Sequence, residues 1–177
     1  MAKSPREIID EGRLGTWQIA ALAMTIMLNA LDGFDVMSIS FAAPGIAEEW
    51  SVPKDVLGWV LAMELLGMAV GSIFLGGMAD RFGRRPTIMT CLVVMAVGML
   101  LAPSSTDVLQ LSLWRVLTGL GIGGMLAALN ASVAEFANAR YRNLVLPLML
   151  IGYPLGAFFG GTIASIWLAD GDWRDVF

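Results

Sequence analysis

The chain has 177 residues, of which 57% are apolar and 15% charged, with a net charge of −4 and a mean hydropathy of +0.73. That composition is too apolar for a water-soluble domain of this size, and with no basic stripe it offers nucleic acid no electrostatic footing. There is no His and one cysteine, Cys91, so the chain lacks an imidazole base, an intrachain disulfide and any imidazole metal site; neither a metal nor a cofactor is expected.

Residues 1–16 mix Lys3, Arg6 and Arg13 with Glu7, Asp10 and Glu11. They read as a solvated tail and not as a secretory leader, because the apolar run that follows is too long, carries two aspartates and lacks a small-residue cleavage site. Five apolar runs then approach or exceed the ~20 residues that cross a bilayer: 17–41, 56–79, 86–102, 108–133 and 144–168. The breaks between them are 44–55, 80–85, 103–107 and 134–143. They are short enough to make neighbouring helices antiparallel in an all-α membrane bundle, where each helix satisfies its own backbone polar groups. Residues 170–177 are expected to form an outer loop and the first residues of a sixth helix, so the chain reads as a piece of a longer one.

The apolar runs are not uniformly apolar. The first holds Asn29, Asp32 and Asp35 at three-residue spacing, which places them on one helix face. The second holds Glu64 and the fourth Arg115. An ionisable side chain inside a membrane costs roughly 2.5–3.5 kcal/mol on insertion scales and marks a functional position by default. At 1.5 Å per residue, Asp32 lies about 22 Å and Asp35 about 27 Å up the first helix, while Glu64 and Arg115 lie about 12 Å and 10 Å below the opposite edge. This expectation puts Asp32, Glu64 and Arg115 at one level, facing a water-filled cavity, with Asp35 nearer the surface. Arg115 would attract an anion or a carboxylate, and Asp32 or Asp35 would exchange a proton; Glu64 is close enough to the edge to snorkel.

Small residues recur as well: Gly67 and Gly71 in the second run, Gly119, Gly121, Gly123 and Gly124 in the fourth, and Gly152, Gly156 and Gly160 in the fifth. In lipid, such residues let helix backbones approach closely. Basic residues set the orientation. Lys3, Arg6, Arg13, Arg81, Arg84, Arg85, Arg140 and Arg142 fall on one side, and only Lys54 and Arg174 on the other. That bias makes the N-terminus cytoplasmic.

The stretch 76–85, Gly76-Gly-Met-Ala-Asp80-Arg81-Phe-Gly83-Arg84-Arg85, packs an acid and three arginines into a tight membrane-surface loop. Gly83 permits the reversal and Pro86 suits the first turn of the next helix. Asp80 ends a helix, where the macrodipole disfavours an acid, so it needs a cationic or helix N-terminal partner.

Those residues resemble the signature between helices 2 and 3 of the major facilitator superfamily, whose members are secondary transporters with two six-helix halves. Arg115-Val-Leu-Thr-Gly119-Leu-Gly121 is similar to the superfamily's helix 4 pattern. Asp32-Gly33-Phe34-Asp35, followed by Ala43-Pro44, resembles the helix 1 segment of the aromatic acid:proton symporter family. The fifth run departs from the antiporter pattern, since Pro154-Leu155-Gly156 precedes Gly160-Gly161. The resemblance implies five helices of an N-terminal six-helix half-bundle, with the C-terminal half absent. It further implies roles in substrate and proton coupling for Asp32, Asp35 and Arg115, and a conformational gate at Asp80 whose basic neighbours pair with Glu135, extended by Arg140 and Arg142.

The expected function is import of a small organic anion, first an aromatic carboxylate, with a proton, by alternating access in a bacterial inner membrane. A sugar or drug porter of the same superfamily and a non-transporting membrane scaffold are the alternatives. No nucleophile–base pair supports an enzyme.

Overall fold

The computed structural model describes residues 15–136 and 142–177. Among them the structure is helical, with no strand. Five long helices carry it: α1 (Thr16–Trp50), α2 (Lys54–Phe82), α3 (Arg84–Leu101), α4 (Val108–Phe136) and α5 (Arg142–Asp170). Short 3₁₀ turns at Ala102–Ser104 and Trp173–Val176 complete it. All five are long and apolar enough to span a bilayer. Their outer faces remain apolar, with Leu31, Leu65, Ile73, Phe74, Leu109 and Phe158 exposed, as suits helices whose solvent is hydrocarbon.

The helix ends follow local chemistry. The Asp107 side chain caps α4 by accepting from the Gln110 amide at 2.7 Å, while the Gln110 side chain accepts from the Thr106 amide at 3.0 Å. The α1 helix closes on Ser51 in a left-handed conformation, φ 52°. Between α2 and α3 a single residue, Gly83 at φ 96°, makes the break; that backbone region favours a residue without Cβ.

The first helix is longer than its sequence suggests. The expected loop from residue 44 is helical to Trp50, straight through Pro44. Proline removes the hydrogen bond to the carbonyl four residues back. Here that carbonyl belongs to Ser40, which is exposed and lies about 36 Å along α1, past the hydrocarbon thickness, where polar surroundings can satisfy it. Pro147 and Pro154 likewise lie inside α5.

Packing is dominated by α2 against α4, α1 against α5 and α3 against α4. The glycines make these contacts possible. A Cβ at Gly156 would overlap the Ala30 carbonyl, one at Gly71 the Leu120 carbonyl, and one at Gly123 the Met68 carbonyl. Backbone lies on backbone, the geometry small residues allow in a membrane. Around these contacts the core forms in patches. Ile39, Ala42, Ile46, Leu57, Val60 and Leu111 gather toward the Trp50 end, and Val36, Cys91, Met95, Ile122, Met125 and Leu129 gather toward the Gly83 end.

These contacts set a mutational contrast. Gly156→Leu should destabilise the detergent-solubilised protein by about 1–3 kcal/mol, the usual cost of overpacking. Gly77, with open space around it, should accept Ala with a gain of roughly 0.5–1 kcal/mol from helix propensity. Thermal unfolding of the two variants side by side checks this; equal behaviour would show that the α1–α5 contact does not constrain the fold.

Candidate functional site

Between the two core patches lies a group of charges. Along α4, Arg115 falls one turn after Leu111 and two turns before Ile122, pointing inward with both. Asp35 on α1 and Glu64 on α2 meet it there. Arg115 is 0% exposed, and Asp35 and Glu64 are 2% and 0%.

The guanidinium is fully engaged. Its Nε donates to Glu64 Oε2 at 3.2 Å and its Nη2 to Glu64 Oε1 at 2.6 Å, a two-point grip that a planar fork provides and an ammonium cannot. Nη2 also donates to the Asp35 carbonyl at 2.8 Å. Nη1 donates to Asp35 Oδ1 at 3.1 Å and lies 3.5 Å from the Met99 sulfur. The Phe177 ring stands 5.6 Å from the guanidinium carbon, a cation–π separation. Ser38 adds a hydroxyl to the Asp35 carbonyl at 2.6 Å.

Asp32 is different. It is 0% exposed, and neither of its carboxyl oxygens has a hydrogen-bond partner. The site therefore holds three carboxyl groups against one guanidinium, and the arginine's contacts go to two of them. Asn29, one turn earlier on the same face, donates to the Met149 carbonyl at 2.6 Å and ties α1 to α5.

The depth count placed Asp32 beside Arg115 and Asp35 above it; the structure pairs Arg115 with Asp35. The count took α1 as ending near residue 41, whereas the helix runs 35 residues to Trp50. Glu64 does not snorkel, because its carboxylate turns inward onto Arg115. Arg115, Asp35 and Glu64 are all buried in this conformation. A cavity of about 420 Å³ lies nearer the Gly83 end, among Leu22, Thr25, Arg84, Arg85, Ser132 and Val133. Met99 and Phe177 were not legible as partners of Arg115, since neither a lone Met in an apolar run nor a loop Phe carries a sequence signal.

At the Gly83 loop, Asp80 pairs with Arg84 at 3.0 Å across the helix break, so its cationic partner comes from the first turn of α3. Asp80 remains 76% exposed while the Arg84 side chain is 25% exposed. Gly83 donates to the Ala79 carbonyl at 3.1 Å, and Thr87 returns a hydroxyl to the Gly83 carbonyl at 2.9 Å. Gly76 packs on Ala127 of α4, and Arg81 lies 5.6 Å from the Phe82 ring. Arg85 sits at the cavity. The expected pairing with Glu135, Arg140 and Arg142 lies outside the described residues and side chains.

The family model described as Major Facilitator Superfamily matches residues 25–177. The chain is 31% identical over 170 residues to the 4-hydroxybenzoate transporter PcaK of Acinetobacter baylyi, covering 96% of this chain and 37% of that protein. It is 25% identical over 171 residues to the gallate transporter of Pseudomonas putida, covering 97% and 38%. It is 26% identical over 176 residues to the benzoate transport protein of Acinetobacter baylyi, again covering 97% and 38%. The chain thus spans less than two fifths of the length of these relatives.

The two kinds of carboxylate should respond differently to mutation. Glu64→Ala leaves a buried guanidinium half-compensated and should destabilise the protein by about 3–5 kcal/mol. Asp32→Asn removes no observed hydrogen bond or ion pair and should leave stability within about 1 kcal/mol. Thermal unfolding in detergent measures both, and an Asp32→Asn loss as large as that of Glu64→Ala would mean Asp32 has a structural partner.

Proposed function

Because the chain belongs to the Major Facilitator Superfamily, we propose that it supplies the N-terminal bundle of a proton-coupled transporter for small organic anions, aromatic carboxylates first. The named relatives carry 4-hydroxybenzoate, gallate and benzoate, which supports that substrate class. The bundle sits in a bacterial inner membrane with its N-terminus and the Gly83 loop in the cytoplasm, a reading supported by the distribution of Lys and Arg. Another half of the transporter completes the cavity.

The observation that carries the proton-coupling step is the unpartnered carboxyl of Asp32 beside a satisfied Arg115 group. A buried carboxylate without a counter-charge is costly, and a proton removes that cost. Asp32 is therefore the seat for the transported proton. Asp35 and Glu64 hold Arg115 charged and in place between them. When the anion enters, the charge balance around Arg115 changes: a carboxylate on the substrate competes for donors that Asp35 and Glu64 now occupy. Proton arrival on the α1 carboxyls relaxes that competition. Substrate charge and proton charge thus move together.

Alternating access then rocks one bundle against the other. The backbone-on-backbone contacts of α2 with α4 and α1 with α5 make this bundle a stiff unit that moves as a body. The Asp80–Arg84 pair at the one-residue turn acts as the cytoplasmic gate, where an exposed acid can engage the other half.

Uptake by the full-length protein in liposomes tests this. Labelled benzoates should enter saturably, faster under an inward proton gradient, and a protonophore should abolish the gradient effect; aliphatic acids should compete poorly. Asp32→Asn should lose the gradient-driven component while keeping substrate exchange. Undiminished gradient-driven uptake by Asp32→Asn would sink the role given to it.

A further inference from the structure

At the end of the bundle opposite Gly83, residues 171–177 fold back over the helix ends. Trp173 is 4% exposed and packs into the core patch of Ile39, Ile46 and Leu111. It enters against Gly45, where a Cβ would stand 2.9 Å from the Trp173 Cβ. Its indole meets Trp50 edge-on with ring centres 5.4 Å apart and Phe177 at 6.2 Å. Phe177 in turn covers the Arg115 guanidinium at 5.6 Å. An unbroken line of rings therefore runs from the surface to the buried charge cluster.

The line is fastened by polar contacts. Arg174 donates through Nη1 to Glu49 Oε2 and through Nη2 to Glu49 Oε1, both at 2.7 Å. The Trp173 indole donates to the same Glu49 Oε2 at 2.5 Å. Arg174 Nε donates to the Pro103 carbonyl at 3.1 Å, and its guanidinium lies 4.2 Å from the Trp173 ring centre. One residue thus joins the end of α1, the turn between α3 and α4, and the segment after α5. An exposed ion pair is ordinarily weak. This one is bidentate, backed by a backbone acceptor and stacked on an aromatic, the conditions under which such a pair holds a geometry.

We propose that the segment 171–177 is a seal over the charge cluster, with Phe177 a positioning residue that caps Arg115 and Glu49–Arg174 the clasp that keeps the seal seated. Water reaches Asp35, Glu64 and Arg115 from this end only when the clasp opens. This goes beyond the transport reading and does not depend on it, because accessibility is measured without transport.

The test uses the purified full-length protein with Cys91→Ala and one introduced cysteine. Ser38→Cys reports on the seal, since Ser38 is buried between Asp35 and the Trp50 end. Thr87→Cys, buried beside the Gly83 turn, reports on loosening elsewhere. A small water-borne thiosulfonate should label both slowly. Adding Glu49→Gln or Phe177→Ala should speed labelling at position 38 by about tenfold or more, as local opening would, while position 87 stays unchanged. Phe177→Tyr should keep the slow rate. Unchanged labelling at position 38, or equal acceleration at both positions, would overturn the seal.

Discussion

Everything in this bundle is arranged around one guanidinium that cannot give up its charge. Arginine stays protonated in proteins, and a lone charge inside a bilayer is expensive. The chain answers by bringing an acid from α1 and an acid from α2 to the same point on α4, with backbone and sulfur completing the set. Three helices are thereby fixed in register, since a slip of one residue would carry a donor away from its acceptor. The close glycine contacts depend on that register too. Gly119, one turn from Arg115, lies on the Glu64 carbonyl, so the salt bridge and the backbone contact locate α2 against α4 together.

Much of this was legible in the sequence, for identifiable reasons. Hydrocarbon demands long apolar runs, so the five spans showed in composition alone. Charges in such runs are rare enough that Asp32, Asp35, Glu64 and Arg115 identified themselves. The glycines at Gly152, Gly156 and Gly160 announced a close helix contact through their spacing. What the sequence did not give was which acid meets Arg115. That depends on how α1 packs against α2 and α4 and on where α1 ends, and Pro44 suggested a stop although the helix continues past it to Trp50. Contacts reaching across the chain, such as Phe177 on Arg115 or Glu49 on Arg174, have no local signature either. They join residues separated by 62 and 125 positions, a relation that periodicity does not encode.

The two ends of the bundle differ in kind. At the Gly83 end, the Asp80–Arg84 pair bridges a one-residue helix break and leaves the acid exposed, so it is available to a surface outside this bundle. At the Trp50 end, the Arg174 contacts turn inward and tie separate elements to one another. One end offers its charges outward and the other spends them on holding itself together.

The order of the charges along the chain also bears on how the protein is made. Synthesis delivers Asp32, Asp35 and Glu64 to the membrane before Arg115 emerges. A carboxyl can enter lipid neutral by holding a proton, whereas a guanidinium has no such recourse. The acids on α1 and α2 are therefore in place when α4 arrives, so the pairing seen in the finished bundle also lowers the cost of admitting the Arg115 helix to the membrane. With the order reversed, the same final contacts would require an arginine to wait in hydrocarbon for its partners.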